Sequence, residues 1–220
     1  YSRIGPVGQW FVHRLASAWN FCLGHALRPT MLPLSHFDET DCIARAQRGD
    51  AAAFSELIAR YQERIYRFLL RMTRSPEDAR ELAQETFLSA YQALPRWRPH
   101  ARLSTWLFYI ARNQALDRLR RARHVEFVPL DEVLAEQLPA STLTPEAALQ
   151  ARQRVMALEA ALGRLSVEHR EILLLRDIED LSYDDIAQVL NISLGTVKSR
   201  IRNAMIKLRQ ILEPTQGASQ

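Results

Sequence analysis

The chain has 220 residues, of which 47% are hydrophobic and 25% charged, with a formal net charge of +4 and a pI near 9.4. That length suits one medium domain or two small ones, and the balance excludes a disordered or collagen-like chain. The basic excess hints at a polyanionic partner. The two cysteines, Cys22 and Cys42, form no CxxC pair, which excludes a disulfide framework and points to a reducing, cytoplasmic setting.

Residues 1–37 read as an N-terminal extension, either disordered or, upstream of Met31, not native. Its first thirty residues are basic and aromatic, carry no acid and do not begin with Met. His13 and Arg14 interrupt its apolar stretch, which falls short of the roughly 20 apolar residues of a membrane span. No stable membrane insertion is expected, and the natural start is expected at Met31. A membrane-surface helix is the alternative, disfavoured because its polar and apolar faces are poorly separated. Cys22 and His25 could share a helix face, but two ligands do not make a zinc site, and neither a metal nor another cofactor is expected.

From residue 38 helix signals recur. Asp38 is placed to cap a short helix that stops at Gly49, and Asp50 to cap the next. The latter carries Phe54, Leu57, Ile58, Tyr61, Ile65, Phe68, Leu69 and Met72 at steps of three and four, one continuous apolar face. SPED at 75–78 supplies an N-cap at Ser75, a first-turn Pro76 and an acid at Asp78. The third helix then buries Ala79, Leu82, Ala83, Thr86, Phe87, Ala90, Tyr91 and Leu94, with Pro95 at its end. Ser104 is read as the cap of a fourth helix, STWLFYIARNQALDRLRRAR. These four helices predict one bundle over 38–123.

Residues 124–147 change character: three prolines and five acids stand there without Lys or Arg, so they read as an acidic linker. Helix restarts at Thr144–Pro145 and again after Ser166, giving a second domain over 148–212 and a tail over 213–220. Ser182 and Asp185 make a capping box, Asn191–Ile192 a turn, and Ser193 caps the last helix. Its buried side is read as Leu194, Val197, Ile201, Ala204, Met205 and Leu208. This pattern is a helix-turn-helix. From Ser193 to Arg209 there is no acid, as a surface facing phosphates requires. Lys198, Ser199, Arg202 and Asn203 fall on the outward side, within reach of base edges, whereas Thr196 and Arg200 suit phosphate. A solvated basic helix end is the blander alternative.

Four stretches in order resemble the extracytoplasmic-function (ECF) sigma factors of bacterial RNA polymerase: GDAAAFSELIARYQERIYRFLLR, DARELAQETFLSAYQAL, STWLFYIARNQALDRLRR and LSYDDIAQVLNISLGTVKSRIRNAMIKLR. The similarity spans roughly residues 38–212. It implies an all-α protein of two small helical domains, a core-binding and −10 domain (sigma region 2) and a −35 helix-turn-helix (region 4). On the third helix Glu81, Gln84, Glu85 and Leu88 form a polar stripe with one apolar anchor, and Asp78 precedes it. Alone, that pattern suits docking against a helix or a solvated face; by resemblance it grips core RNA polymerase.

Arg96, Trp97, Arg98, His100 and Arg102 precede a helix bearing Arg112, Arg118, Arg120, Arg121 and Arg123. Basic residues around aromatics suit single-stranded DNA. The resemblance assigns Trp97, Arg98, His100, Arg102, Tyr109, Arg112, Asn113 and Arg120 to the melted −10 element, with Asn113 beside a flipped base. Trp106 is expected in the core. Pro99–His100 replaces the family's usual Gly-Asp loop centre. The linker either imitates a phosphate backbone inside the polymerase or is a plain tether. The resemblance also implies promoter DNA as ligand and an anti-sigma factor as partner. No nucleophile, paired carboxylates or phosphate-binding glycine loop appears, so no enzyme activity is expected. Two rivals are a self-sufficient repressor or response regulator, and a membrane-surface protein using residues 1–30.

Overall fold

The computed structural model describes residues 38–121 and 145–213. The expected extension (1–37), most of the acidic linker and the end of the tail lie outside the described residues. The first domain comprises α1 (Glu39–Gln47), α2 (Ala51–Thr73), α3 (Pro76–Ala93), a 3₁₀ turn (Leu94–Arg96) and α4 (Leu103–Arg121). The second comprises α5 (Pro145–Arg164), α6 (Val167–Leu173), a π-helical turn (Leu174–Ile178), α7 (Tyr183–Leu190) and α8 (Leu194–Leu212). Every described element is helical.

The capping chemistry sets most helix starts. The Asp38 carboxylate accepts the Thr40 and Asp41 amides, and Asp50 those of Ala52 and Ala53. Ser75 accepts from Asp78, Ser166 from His169, Ser182 from Asp185 and Ser193 from Thr196. Each such cap satisfies a helix-end amide that would otherwise be orphaned, typically worth about 1 kcal/mol. One expected cap is corrected. The fourth helix begins at Leu103, where the Arg102 carbonyl takes the Trp106 amide, and Ser104 is a buried residue inside the helix.

The eight apolar positions expected on α2 are all buried, and they pack against α3 and α4. Phe68 meets Phe108 edge to face at 5.4 Å, and Phe54 meets the half-buried Tyr91 at 5.0 Å. Such pairs add to the area they bury because ring edges and faces carry opposite partial charge. Within the helix-turn-helix, Leu181, Ile186 and Val189 close on Val197, Ile201 and Ala204. Asn191 turns the chain at φ 53°, a left-handed conformation in which its short amide is tolerated. A second correction falls on α8: Leu194 and Met205 are 38% and 41% exposed, not buried. Val197, Ile201, Ala204 and the half-buried Leu208 already form a narrow stripe, and Leu194 and Met205 flank it.

The two domains do not stand apart. Their buried side chains form a single apolar cluster, with α4 against α7 and α2 against α6. That junction brings the candidate surfaces of both domains onto shared partners.

Candidate functional site

On α3, Glu81, Gln84 and Glu85 are exposed and Leu88 is half-buried, so the stripe faces outward as a docking surface must. Its N-terminal end is not free. Arg118 of α4 donates to Asp78 at 2.6 Å and to Glu81 at 2.8 Å. The hydrogen bond that Arg118 donates to Glu81, joined by the charges of Glu81, Asp78 and Glu85, raises the Arg118 pKa against the opposing effect of burial. Arg118 therefore ties α4 to the carboxylate end of the stripe. Thr86 and Ser89 on the inner flank are linked through Gln114, which fixes the register of α3 on α4.

The segment before α4 builds a pocket. The Gln47 amide donates to the Leu94 and Trp97 carbonyls at 3.2 and 2.9 Å, which pins the 3₁₀ turn to α1. Trp97 then stacks on Trp106, ring centres 5.4 Å apart and planes 30° from parallel. Trp106 is thus not a plain core residue as expected: it is half-buried and lines a cavity of about 400 Å³ shared with Arg96, His100, Thr105 and Tyr109. The aromatic floor and cationic rim match the chemistry of base stacking under a tracked backbone. Arg98, His100 and Arg102 are exposed, and Tyr109 is 43% exposed. Asn113 lies one helical turn beyond Tyr109 and is not among the residues lining the cavity; its carbonyl accepts from Arg112 at 3.3 Å. Arg120 is exposed and pairs with Asp117.

On α8, Thr196, Lys198, Ser199, Arg202 and Asn203 are all exposed, on the side opposite Val197, Ile201 and Ala204. The Ser199 hydroxyl donates to the Thr196 carbonyl at 3.0 Å. Arg200 differs. It is half-buried and reaches Glu171 of α6 at 3.4 Å.

Glu171 is a residue the sequence reading did not single out. Its side chain is 1% exposed, and its two oxygens accept from Arg112 of α4 at 2.9 and 3.2 Å as well as from Arg200. Further links cross the same junction. Arg64 donates to the Glu179 carboxylate at 2.9 Å and to its backbone carbonyl at 3.1 Å. Burial nonetheless raises the Glu179 pKa, outweighing the Arg64, Arg71 and Arg67 cations. The π turn places this side chain, since the Glu179 amide bonds five residues back to Leu174. Arg71 pairs with Glu159 at 2.8 Å. The Thr105 hydroxyl donates to Asp185 at 2.7 Å. Burial acts to raise the Asp185 pKa, but hydrogen bonds from the Ser182 and Thr105 hydroxyls and the charge of Arg102 hold it below the usual range.

Arg170 is also buried, 4% exposed, and its guanidinium bonds to carbonyls. It fans into the carbonyls of Leu162, Gly163 and Leu165 at the end of α5 and of Met72 in α2, at 3.0 to 3.1 Å. Those are C-terminal helix carbonyls, the negative ends of two helix dipoles. Burial, helped by the Arg74 cation, lowers its pKa to about 10, so it stays charged at neutral pH. A side chain at Gly163 would meet Arg74 Nη1 at 1.7 Å, so only glycine lets that guanidinium approach α5. Among the described residues no group of three or more His, Cys, Asp or Glu is placed to hold a metal, and no helix is long and apolar enough to cross a membrane.

Residues 57–125 match the family model described as Sigma-70 region 2, and residues 155–208 that described as Sigma-70, region 4. The chain is 33% identical over 192 residues to the RNA polymerase sigma-H factor of Pseudomonas aeruginosa, covering 82% of this chain and 97% of that one. The ECF sigma factor SigW of Bacillus subtilis is 30% identical over 176 residues, covering 77% of this chain and 94% of that one. The chain belongs to the ECF sigma factors. Among solved structures, CnrH in complex with the cytosolic domain of CnrY aligns with a TM-score of 0.59 at 28% identity, covering 79% of this chain and 96% of that one. As an ECF sigma factor the protein binds core RNA polymerase, recognises promoter −10 and −35 elements and promotes DNA melting to initiate transcription. This is a family of initiation factors, not of known enzymes.

Proposed function

We propose that the two domains divide the work of a non-catalytic promoter-specificity subunit, with 38–123 binding core polymerase and opening the −10 element and 148–212 reading the −35 duplex. The observation that carries this division is the Trp97–Trp106 stack on a cavity of about 400 Å³, large enough for a nucleobase and rimmed by Arg96 and His100. Asp78, Glu81, Gln84, Glu85 and Leu88 dock core polymerase, with Leu88 as the apolar anchor. Trp97, Arg98, His100, Arg102, Tyr109, Arg112, Asn113 and Arg120 hold the melted −10 strand. Thr196 and Arg200 take phosphates, while Lys198, Ser199, Arg202 and Asn203 reach base edges in the major groove. The linker joins these domains through the polymerase.

The protein acts in the cytoplasm and is held in check by an anti-sigma factor. The likeness to CnrH, which was solved with the cytosolic domain of CnrY, supports that control. The reading is tested by run-off transcription from a randomised −35 library with core polymerase. Lys198→Ala and Arg202→Ala should each cost about 1–3 kcal/mol at particular positions and relax specificity there. If both variants weaken every promoter alike, the recognition helix holds phosphates only.

A further inference from the structure

Four of the residues that line the −10 cavity, Arg96, Trp97, Arg98 and His100, come from the end of the 3₁₀ turn and the segment after it. That segment has little backbone bonding of its own. The Trp97 amide bonds to the Leu94 carbonyl at 3.1 Å, and the His100 amide to the Arg98 carbonyl at 2.8 Å. What ties it to the rest of the domain is one side chain from another helix. The Gln47 amide donates to the Leu94 and Trp97 carbonyls at 3.2 and 2.9 Å. An amide nitrogen carries two hydrogens, so this pair of bonds uses both.

Gln47 ends α1, and α1 is itself locked to α2. The Asp50 carboxylate accepts from Arg45 at 2.9 and 2.7 Å across the corner between the two helices. The Tyr61 hydroxyl donates to Glu39 at 2.7 Å, and the buried Cys42 thiol donates to the Ala53 carbonyl at 3.1 Å. Held at both ends, α1 presents a double donor at a fixed place. The Trp97 ring stacks on Trp106 of α4, so holding the Trp97 carbonyl also holds the stack. A stacking wall must stay within about 0.5 Å of its working position to keep its contact with a base. None of the residues assigned to polymerase or DNA lies on α1, which is also upstream of residues 57–125, the part that matches Sigma-70 region 2.

We propose that Gln47 is a positioning residue for promoter opening, with α1 as the strut that holds Trp97 where an unstacked −10 base packs against it. This role rests on the assignment of the cavity to the −10 strand.

The test uses the full chain assembled with core polymerase. The probes are the single-stranded non-template −10 segment and the −35 duplex of a promoter that the wild-type holoenzyme transcribes. Gln47→Met keeps the length of the side chain and removes both donors. It should weaken binding of the −10 strand by about tenfold, the order of one lost base–aromatic stack. Affinity for core polymerase and for the −35 duplex should shift less than about twofold. Gln47→Lys restores donors on a stem of similar length and should recover most of the −10 binding. Unchanged −10 binding by the Met variant overturns the proposal. So does an equal fall for both probes, or a Lys variant no better than Met.

Hydrogen–deuterium exchange on the free chain reads the strut without DNA. Gln47→Met should speed exchange over residues 94–102 and leave α2 and α3 at wild-type rates; unaltered exchange over 94–102 would refute the strut. If the Met variant loses helicity, Gln47→Asn, one methylene too short to reach both carbonyls, takes its place with the same expected outcomes. Trp97→Ala separates the two claims. Full −10 binding by that variant would fault the cavity assignment, whereas its loss beside normal binding by Gln47→Met would fault the strut alone.

Discussion

Replacing Arg170 with Met keeps the long apolar stem and removes the guanidinium. Four carbonyls at 3.0–3.1 Å would lose their cationic donor, those of Leu162, Gly163, Leu165 and Met72. Hydrogen bonds to a charged group contribute about 1.5–3 kcal/mol each, so the gross loss is about 6–12 kcal/mol. Against this stands the cost of holding an unpaired cation away from water, several kcal/mol, which Met abolishes. The lowered pKa of Arg170 records that cost. A net loss of about 3–5 kcal/mol is expected, a large part of the 5–15 kcal/mol that typically holds a domain folded. In urea unfolding followed by helical circular dichroism, the midpoint should fall with little change in slope. Arg170→Lys should lose about 2 kcal/mol, because three donors radiating from one nitrogen cannot span two helix ends. A loss below about 1 kcal/mol for the Met variant would refute the reasoning, by showing that desolvation cancels the bonds.

Leu88→Arg combined with Glu85→Lys should abolish co-purification with core polymerase while the chain stays helical; retained binding would move the docking stripe elsewhere. Asn113→Ala should leave core binding intact and weaken permanganate reactivity at the −10 element, whereas an unchanged footprint would place the base-pairing amide at another position. Glu179 gives a pH prediction. Its pKa is raised above the ordinary 4.5, so the stability it contributes is complete below that value and is lost as pH rises through the raised one. Glu179→Gln should flatten the dependence of melting temperature on pH across the weakly acidic range, without loss at neutral pH. A clear drop at neutral pH would mean that the Arg64 pair outweighs burial.

Local chemistry made much of this fold readable in the sequence. Asp38, Asp50, Ser75, Ser182 and Ser193 cap as expected because a cap involves residues two or three apart. The α2 face was equally legible, since helical period alone selects its buried side. Ser104 misled because a serine ahead of an apolar run looks the same whether it caps or lies just inside the helix. Leu194 and Met205 misled because apolarity does not tell a core stripe from its flanks. What the sequence hid is the domain junction. Arg112 and Glu171 stand 59 residues apart, and Arg64 and Glu179 stand 115 apart. No periodicity marks such a pair, and nothing in the sequence links one partner to the other. The sequence suggested two separate candidate surfaces; the convergence of Arg112 and Arg200 on one carboxylate was not legible in it.

The Trp97–Trp106 stack has an optical consequence. Two indoles 5.4 Å apart and 30° from parallel couple their excited states, so the pair has a near-ultraviolet signature that neither ring has alone. The chain holds four tryptophans, and the other two, Trp10 and Trp19, lie far upstream in the sequence. With those two replaced by Phe, all remaining indole signal would come from the wall of the cavity. A base sliding against that wall, or a domain lifting from its mouth, would then be visible in the untagged protein in real time, and the lag between the two could be timed in one stopped-flow trace.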